Sequence, residues 1–155
     1  MAFLGSFDVR TDDKGRLICP LKFREHLGKS FIIIKGIPAR DGERCLWVMT
    51  EQEWAQSLES KFTTDRFIDQ GLMTFERFIR DGLIEASCDG QGRIQISQKL
   101  REYAGITPQS DVLVVGMSNR IEIWSRELWD RGTEELSGKQ LREAAAEIGI
   151  GRFSG

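Results

Sequence analysis

The chain is predicted to be an α+β protein, two copies of one β-rich module joined by helices, and three features carry that prediction. The first is the pentad Asp12-Asp13-Lys14-Gly15-Arg16, echoed 77 residues on by Asp89-Gly90-Gln91-Gly92-Arg93. The second is the register beyond it: Lys22, Arg24, Glu25 and Gly28 recur as Lys99, Arg101, Glu102 and Gly105 at the same offset. A match held from Asp12 to Gly28 is a duplication rather than chance. The third is a farther pair of blocks, Leu46 to Trp54 and Ile121 to Trp129, offset by 75, so the second copy is two residues shorter in between. Surface loops tolerate such a change.

Taken in order, Phe3 to Val9 reads as a strand and Arg16 to Cys19 as its partner, with the first pentad as the turn between them. Asp folds its side chain back onto the backbone and Gly15 accepts positive φ, which suits a hairpin turn. Pro20 fits the first position of a helix, Leu21 to Leu27 continues it, and Gly28 stops it. Phe31 to Lys35, an apolar run, is a buried strand, and a turn region from Gly36 to Arg44 leads to a third strand, Cys45 to Met49. Glu51 opens a helical stretch in which Trp54, Leu58 and Phe62 recur every four residues. Thr63-Thr64-Asp65 ends it and is a candidate cap for a second helix with Leu72, Phe75, Phe78 and Ile79 on one face. These two helices, read as having no counterpart in the second copy, form a linker. Core or helix packing accounts for their aromatic stripes without a ligand.

The second copy repeats the order. Leu83 to Cys88 leads into the pentad, followed by Ile94 to Ile96, a helix from Gln98 to Ala104, and strands Asp111 to Val115 and Ile121 to Trp124. From Arg126 to Ile148 the chain is helix-prone, weakened by Gly132 and Gly138, and its glycine-rich end holds no conformation alone. The expected boundaries are residues 1–54 for the first module, 55–82 for the helical linker, 83–129 for the second module, and 130–155 for a C-terminal helix and flexible tail.

A chain of 155 residues fits one domain able to bury roughly two thirds of its unfolded surface. Its 40% hydrophobic and 30% charged residues are those of a soluble globular protein. No apolar run approaches the roughly 20 residues of a membrane span, and no basic segment precedes an apolar secretion signal, so the cytoplasm is the expected compartment. Cys19, Cys45 and Cys88 are widely spaced and His26 is the one histidine, which does not make a zinc site. Cys19 and Cys88 read as small core residues beside the turns. No cofactor, metal or small-molecule substrate is expected.

Net charge of -2 and a pI near 5.6 argue against coating nucleic acid through bulk charge, yet leave room for a local basic face. From Arg10 to Arg24 five cations face Asp12 and Asp13, a net of +3; from Ser87 to Arg101 three face Asp89, a net of +2. Arginine on a turn can fork onto guanine edges or phosphate, whereas lysine supplies a point charge to the backbone. For Asp12, Gly15, Asp89 and Gly92 turn geometry is a sufficient explanation. An enzyme is the rival class, but nothing places a nucleophile and base beside the acids, and Gly90-Gln91-Gly92 is too short for a phosphate-binding fingerprint.

The pentad D-x-x-G-R, the short helix bearing Lys22 and Arg24, and two further strands resemble the swapped-hairpin module of AbrB-like (SpoVT-AbrB) regulators. Two modules in one chain, the opening Met-Ala-Phe-Leu-Gly, the first pentad as DxKGR and the block from Val115-Gly116 to Glu122-Ile123-Trp124 look like the MraZ family. The resemblance covers about residues 1 to 130. It implies two interlocked hairpin modules forming an intrachain pseudo-dimer. It also implies a cytoplasmic, nucleoid-associated, sequence-specific DNA-binding regulator, usually a repressor, of the division and cell-wall gene cluster. Such a protein assembles into ring-like homo-oligomers on double-stranded DNA with repeated promoter boxes. Lys14, Arg16, Lys22, Arg24, Arg93, Lys99 and Arg101 are then the expected DNA contacts. Ser97 in place of the helix-starting proline, and Gln91 in place of Lys14, set the second copy apart. A ring-forming scaffold or protein-interaction module without specific DNA binding is the alternative.

Overall fold

In order, the chain forms β1 (Ser6–Arg10), β2 (Leu17–Ile18), α1 (Leu21–Leu27), β3 (Phe31–Lys35), β4 (Leu46–Thr50) and α2 (Glu51–Trp54). A π-helical turn (Ala55–Glu59), α3 (Ser60–Phe62) and α4 (Gln70–Arg80) follow, then β5 (Ile84–Ala86), β6 (Arg93–Ile94), α5 (Gln98–Ala104), β7 (Asp111–Gly116), β8 (Ile121–Ser125), α6 (Arg126–Glu134) and α7 (Gly138–Glu147). The structure is a computed structural model that describes residues 3–62 and 69–151. The expected cap Thr63-Thr64-Asp65 lies outside the described residues; Asp69 caps α4 instead, its side chain accepting from the Leu72 amide at 2.9 Å.

Each pentad closes on itself, with the Asp12 amide donating to the Arg16 carbonyl at 2.8 Å and the Asp89 amide to the Arg93 carbonyl at 2.9 Å. The strands that they join nonetheless part. The expected pairing of Phe3–Val9 with Arg16–Cys19 is corrected: β1 pairs with β7, and β2 pairs with β6. A turn fixes only its own few residues, whereas a strand goes where its apolar side is buried. Leu17 and Ile94, opposite each other, are 1% and 2% exposed.

The main sheet is antiparallel with the order β1-β7-β8-β4-β3-β5, and β2 and β6 form a separate two-stranded ribbon. Each half of the sheet therefore holds two strands of one copy and the first strand of the other. Between the sheet and the layer of ribbon, α1 and α5 lies the larger core, with Phe23 and Leu27 of α1, Leu100 and Ala104 of α5, Ile33, Val48, Val114 and Ile123. β3 is buried at all five positions because helices cover the other face as well. There Ile32, Ile34 and Met49 meet Trp54, Leu58, Phe62, Phe75, Phe78 and Ile79, and Leu113 and Trp124 meet Leu128 and Trp129 of α6.

The first linker helix does have a counterpart, which corrects its reading as unmatched. Thr50 caps α2 as Ser125 caps α6, and Trp54 and Trp129 follow at the same place in each. The two-residue shortening is likewise a net of two changes. Gly105 to Asp111 is three residues longer than Gly28 to Phe31, and Gly116 to Ile121 is five shorter than Gly36 to Leu46. The predicted C-terminal helix breaks after Glu134, and Gly138, in place of weakening it, opens α7 behind a Ser137–Gln140 capping box. Among the described residues no helix is long and apolar enough to cross a membrane.

Candidate nucleic-acid interface

The ribbon presents two faces that alternate with the strand period of two. Gly15, Leu17, Cys19, Gly92, Ile94 and Ile96 are buried, while Lys14, Ile18, Gln91 and Gln95 are exposed and Arg16 and Arg93 half-exposed. Ile18 stands directly across from Arg93, and the same register sets Gln95 beside Arg16. Two-residue strands offer too short a pattern to show this alternation in advance, so Ile18 and Gln95 were not among the expected site residues. The Cys19 amide donates to the Gly92 carbonyl at 2.9 Å, which sets the second turn beside Cys19. Gly15 lies four residues before Cys19 in the chain, so the two turns stand at opposite ends of the ribbon.

Both arginines are held the same way. Asp12 accepts from the Lys14 amide at 2.9 Å, the Arg16 amide at 2.9 Å and the Arg16 Nε at 2.7 Å. Asp89 accepts from the Gln91 amide at 2.8 Å, the Arg93 amide at 2.9 Å and the Arg93 Nε at 2.8 Å. Each guanidinium is thus oriented through Nε, and among the described residues no hydrogen bond occupies its Nη groups. The Arg93 amide, opposed by burial and helped by the Arg93 guanidinium and the Gln91 amide, brings the Asp89 carboxyl down to about 2. For Asp12, burial pushes upward, but the Arg16 and Lys14 amides and the Arg16 guanidinium outweigh it and hold the carboxyl below its usual range. Both carboxylates stay charged and keep their arginines aimed at neutral pH.

The basic helices cross over between copies. Arg24 of α1 donates through Nε to the Cys19 carbonyl at 2.9 Å and lies over Gly92; Arg101 of α5 donates to the Ile96 carbonyl at 3.1 Å and lies over Gly15. A Cβ on Gly15 would stand 2.7 Å from the Arg101 guanidinium, and one on Gly92 would stand 2.6 Å from Arg24 Cζ. With φ of 78° and 80°, these two glycines are required both by conformation and by close approach. Arg24 and Arg101 therefore buttress the turn of the opposite copy.

The linear charge windows also change in three dimensions. Arg10 is paired with Asp111 at 3.1 Å, and Lys99 with Asp81, which also holds Lys35 at 3.1 Å. Lys14 and Lys22 are exposed and form no ion pair among the described residues. The first turn, carrying Asp12, Asp13, Lys14 and Arg16 under Arg101, and the second, carrying Asp89 and Arg93 under Arg24, each come to +1. Cys19 lies just beneath, its thiol pushed up to about 12 by burial and the neighbouring Cys88, which makes it a packing residue.

The fold and site together define an α+β protein with two Asp-braced arginine turns on one two-stranded ribbon. The MraZ protein family model matches residues 2–75 and 82–149. Relatives that bear the name Transcriptional regulator MraZ include the following three. That of Acetivibrio thermocellus is 40% identical over 150 residues, covering 96% of this chain and 99% of its own. That of Desulforamulus reducens is 41% identical, covering 94% and 99%. That of Moorella thermoacetica is 42% identical, covering 94% of each. The chain belongs to the MraZ family.

Proposed function

We propose that this chain is a sequence-specific DNA-binding transcriptional regulator whose reading surface is the β2–β6 ribbon with its two turns. The observation that carries the reading is the paired arrangement of Arg16 and Arg93, each steered through Nε by its own aspartate with Nη groups left for a ligand. A guanidinium so placed matches a guanine edge or a phosphate. The ribbon suits a B-DNA major groove, about 12 Å wide, into which a two-stranded β-ribbon fits. Lys14 and Lys22 supply backbone contacts beside it, while Arg24 and Arg101 hold the turns and add charge close behind them. Lys99, shared with Asp81, is the weakest of the seven expected contacts.

The interleaved strands support reading residues 1–54 and 83–129 as two AbrB-like swapped-hairpin modules that form a pseudo-dimer within one chain, with 55–82 as linker and 130–155 as C-terminal extension. Two turns of +1 bind weakly alone, since affinity grows with the phosphates neutralised. A ring-like homo-oligomer on repeated promoter boxes raises avidity by about 10² to 10⁴. With the family resemblance, this extends to repression of the division and cell-wall gene cluster by a cytoplasmic, nucleoid-associated protein.

The test is fluorescence anisotropy on duplex DNA from upstream of the protein's own gene, at several salt concentrations. Binding should fall with salt, and Arg16→Ala and Arg93→Ala should each cost about 1–3 kcal/mol of binding while the variants still melt cooperatively and elute as the parent does. A parent protein that shows no binding at any salt concentration favours the scaffold. Unchanged affinity in both variants removes the turns from the site.

A further inference from the structure

The two halves of the ribbon match in their arginines and differ in what lies between them. Arg16 corresponds to Arg93, but Lys14, Ile18 and Leu21 correspond to Gln91, Gln95 and Gln98 at the same offset of 77. Ile18 is 46% exposed and Leu21 61%, so one half ends in uncovered aliphatic carbon and the other in amides. Gln98 is tied to Glu102 at 2.8 Å, whereas Gln91 and Gln95 make no side-chain hydrogen bond among the described residues. Ile18 and Gln95 are therefore the uncommitted groups between the two arginine turns.

We propose that Ile18 and Gln95 determine which bases the ribbon accepts, Ile18 by packing on a thymine methyl and Gln95 by a bidentate hydrogen bond to adenine. The proposal rests on the ribbon being the DNA-reading surface. An apolar protein partner fits this face poorly, because covering Ile18 would also cover Arg93 directly across the ribbon and bury its charge. A major groove instead offers phosphates and guanine edges to the arginines, the thymine C5-methyl to an aliphatic side chain, and adenine N6 and N7 to a glutamine amide. Because the halves differ, the two ends of one box are read by different chemistry.

The experiment uses the full chain and the same upstream duplex, scanned by single base-pair changes and by thymine-to-uracil replacements, which remove a methyl and nothing else. Parent protein, Ile18→Ala, Ile18→Val and Gln95→Ala are compared by anisotropy at one salt concentration. Ile18→Val keeps the β-branched shape and guards against a folding artefact. For the parent, one thymine-to-uracil position should weaken binding about fourfold, the worth of one buried methyl at ~0.8 kcal/mol. Ile18→Ala should be blind to that replacement. Loss of one adenine should weaken the parent roughly 5- to 150-fold, and Gln95→Ala should show no preference there while keeping those elsewhere. If the variants bind DNA with the parent's base profile, the assignment of Ile18 and Gln95 is overturned and the DNA-binding reading stands. If the parent binds none of the duplexes, both fall together.

Discussion

Asp89 shows how one side chain can tie a turn to the arginine that it carries. It accepts two amides and one guanidinium, and with its folded carboxyl at about 2 rather than the ordinary 3.8, folding favours its charged form. Because the folded value is depressed, the stabilisation is complete above about pH 4 and is lost as pH falls through about 2. A carboxyl NMR titration should place the Asp89 midpoint near 2, and a midpoint at the ordinary value would mean that the brace does not form in solution. The same brace should make operator affinity insensitive to Asp89 ionisation between pH 5 and 8. The aspartates, glycines and arginines of the pentads were legible in the sequence because turn chemistry is local. The partners of Arg10, Lys99 and Arg24 were not, since Asp111, Asp81 and the Gly92 turn reach them only through the fold.

Each turn and its overlying arginine form one element built from both copies. Gly92→Ala should cost about 1–2 kcal/mol from the left-handed backbone alone, and more because the new Cβ meets the Arg24 guanidinium. Gly90→Ala, two residues away with open space around it, should stay within about 0.5 kcal/mol of the parent. Thermal melts of the two variants compare them directly: a Gly92→Ala loss no greater than the backbone cost would show that Arg24 does not pack on Gly92, and equal losses would remove the left-handed backbone cost as well. The helix periodicities were correctly legible, as Trp54, Leu58 and Phe62 all face the sheet. Ribbon pairing was not, because β2 and β6 are two residues each and their register comes from burying Leu17 against Ile94.

At the scale of the whole molecule, the fold uses the aromatic face of α4 internally. Ile79 is fully buried, and Phe78 stacks edge-on with Tyr103 at 5.9 Å and lies under the Lys35 ammonium at 4.3 Å. Ile79→Ala should therefore lower stability by about 2–5 kcal/mol in denaturant titration, as a core cavity does. Away from the ribbon, a group of uncovered apolar side chains lies on and around α7, with Leu141 55% and Ile148 73% exposed. If the proposed homo-oligomer packs through this stripe, Leu141→Glu should reduce particle size in light scattering while the melt of the subunit core is retained. An unchanged size would place the neighbour elsewhere.

By itself the sequence determined the internal repeat, the two turns, the buried runs and most of the helices, because each depends on residues close together in the chain. Spacing and side-chain chemistry are enough for a positive-φ glycine beside an aspartate or an apolar residue every fourth position. Only the tertiary structure decided that β1 leaves its own hairpin for β7, that β2 and β6 make one ribbon, and that each basic helix guards the other copy's turn. Those choices join groups about 70 to 110 residues apart, and they are settled by which pairing buries the most apolar surface with every backbone group satisfied.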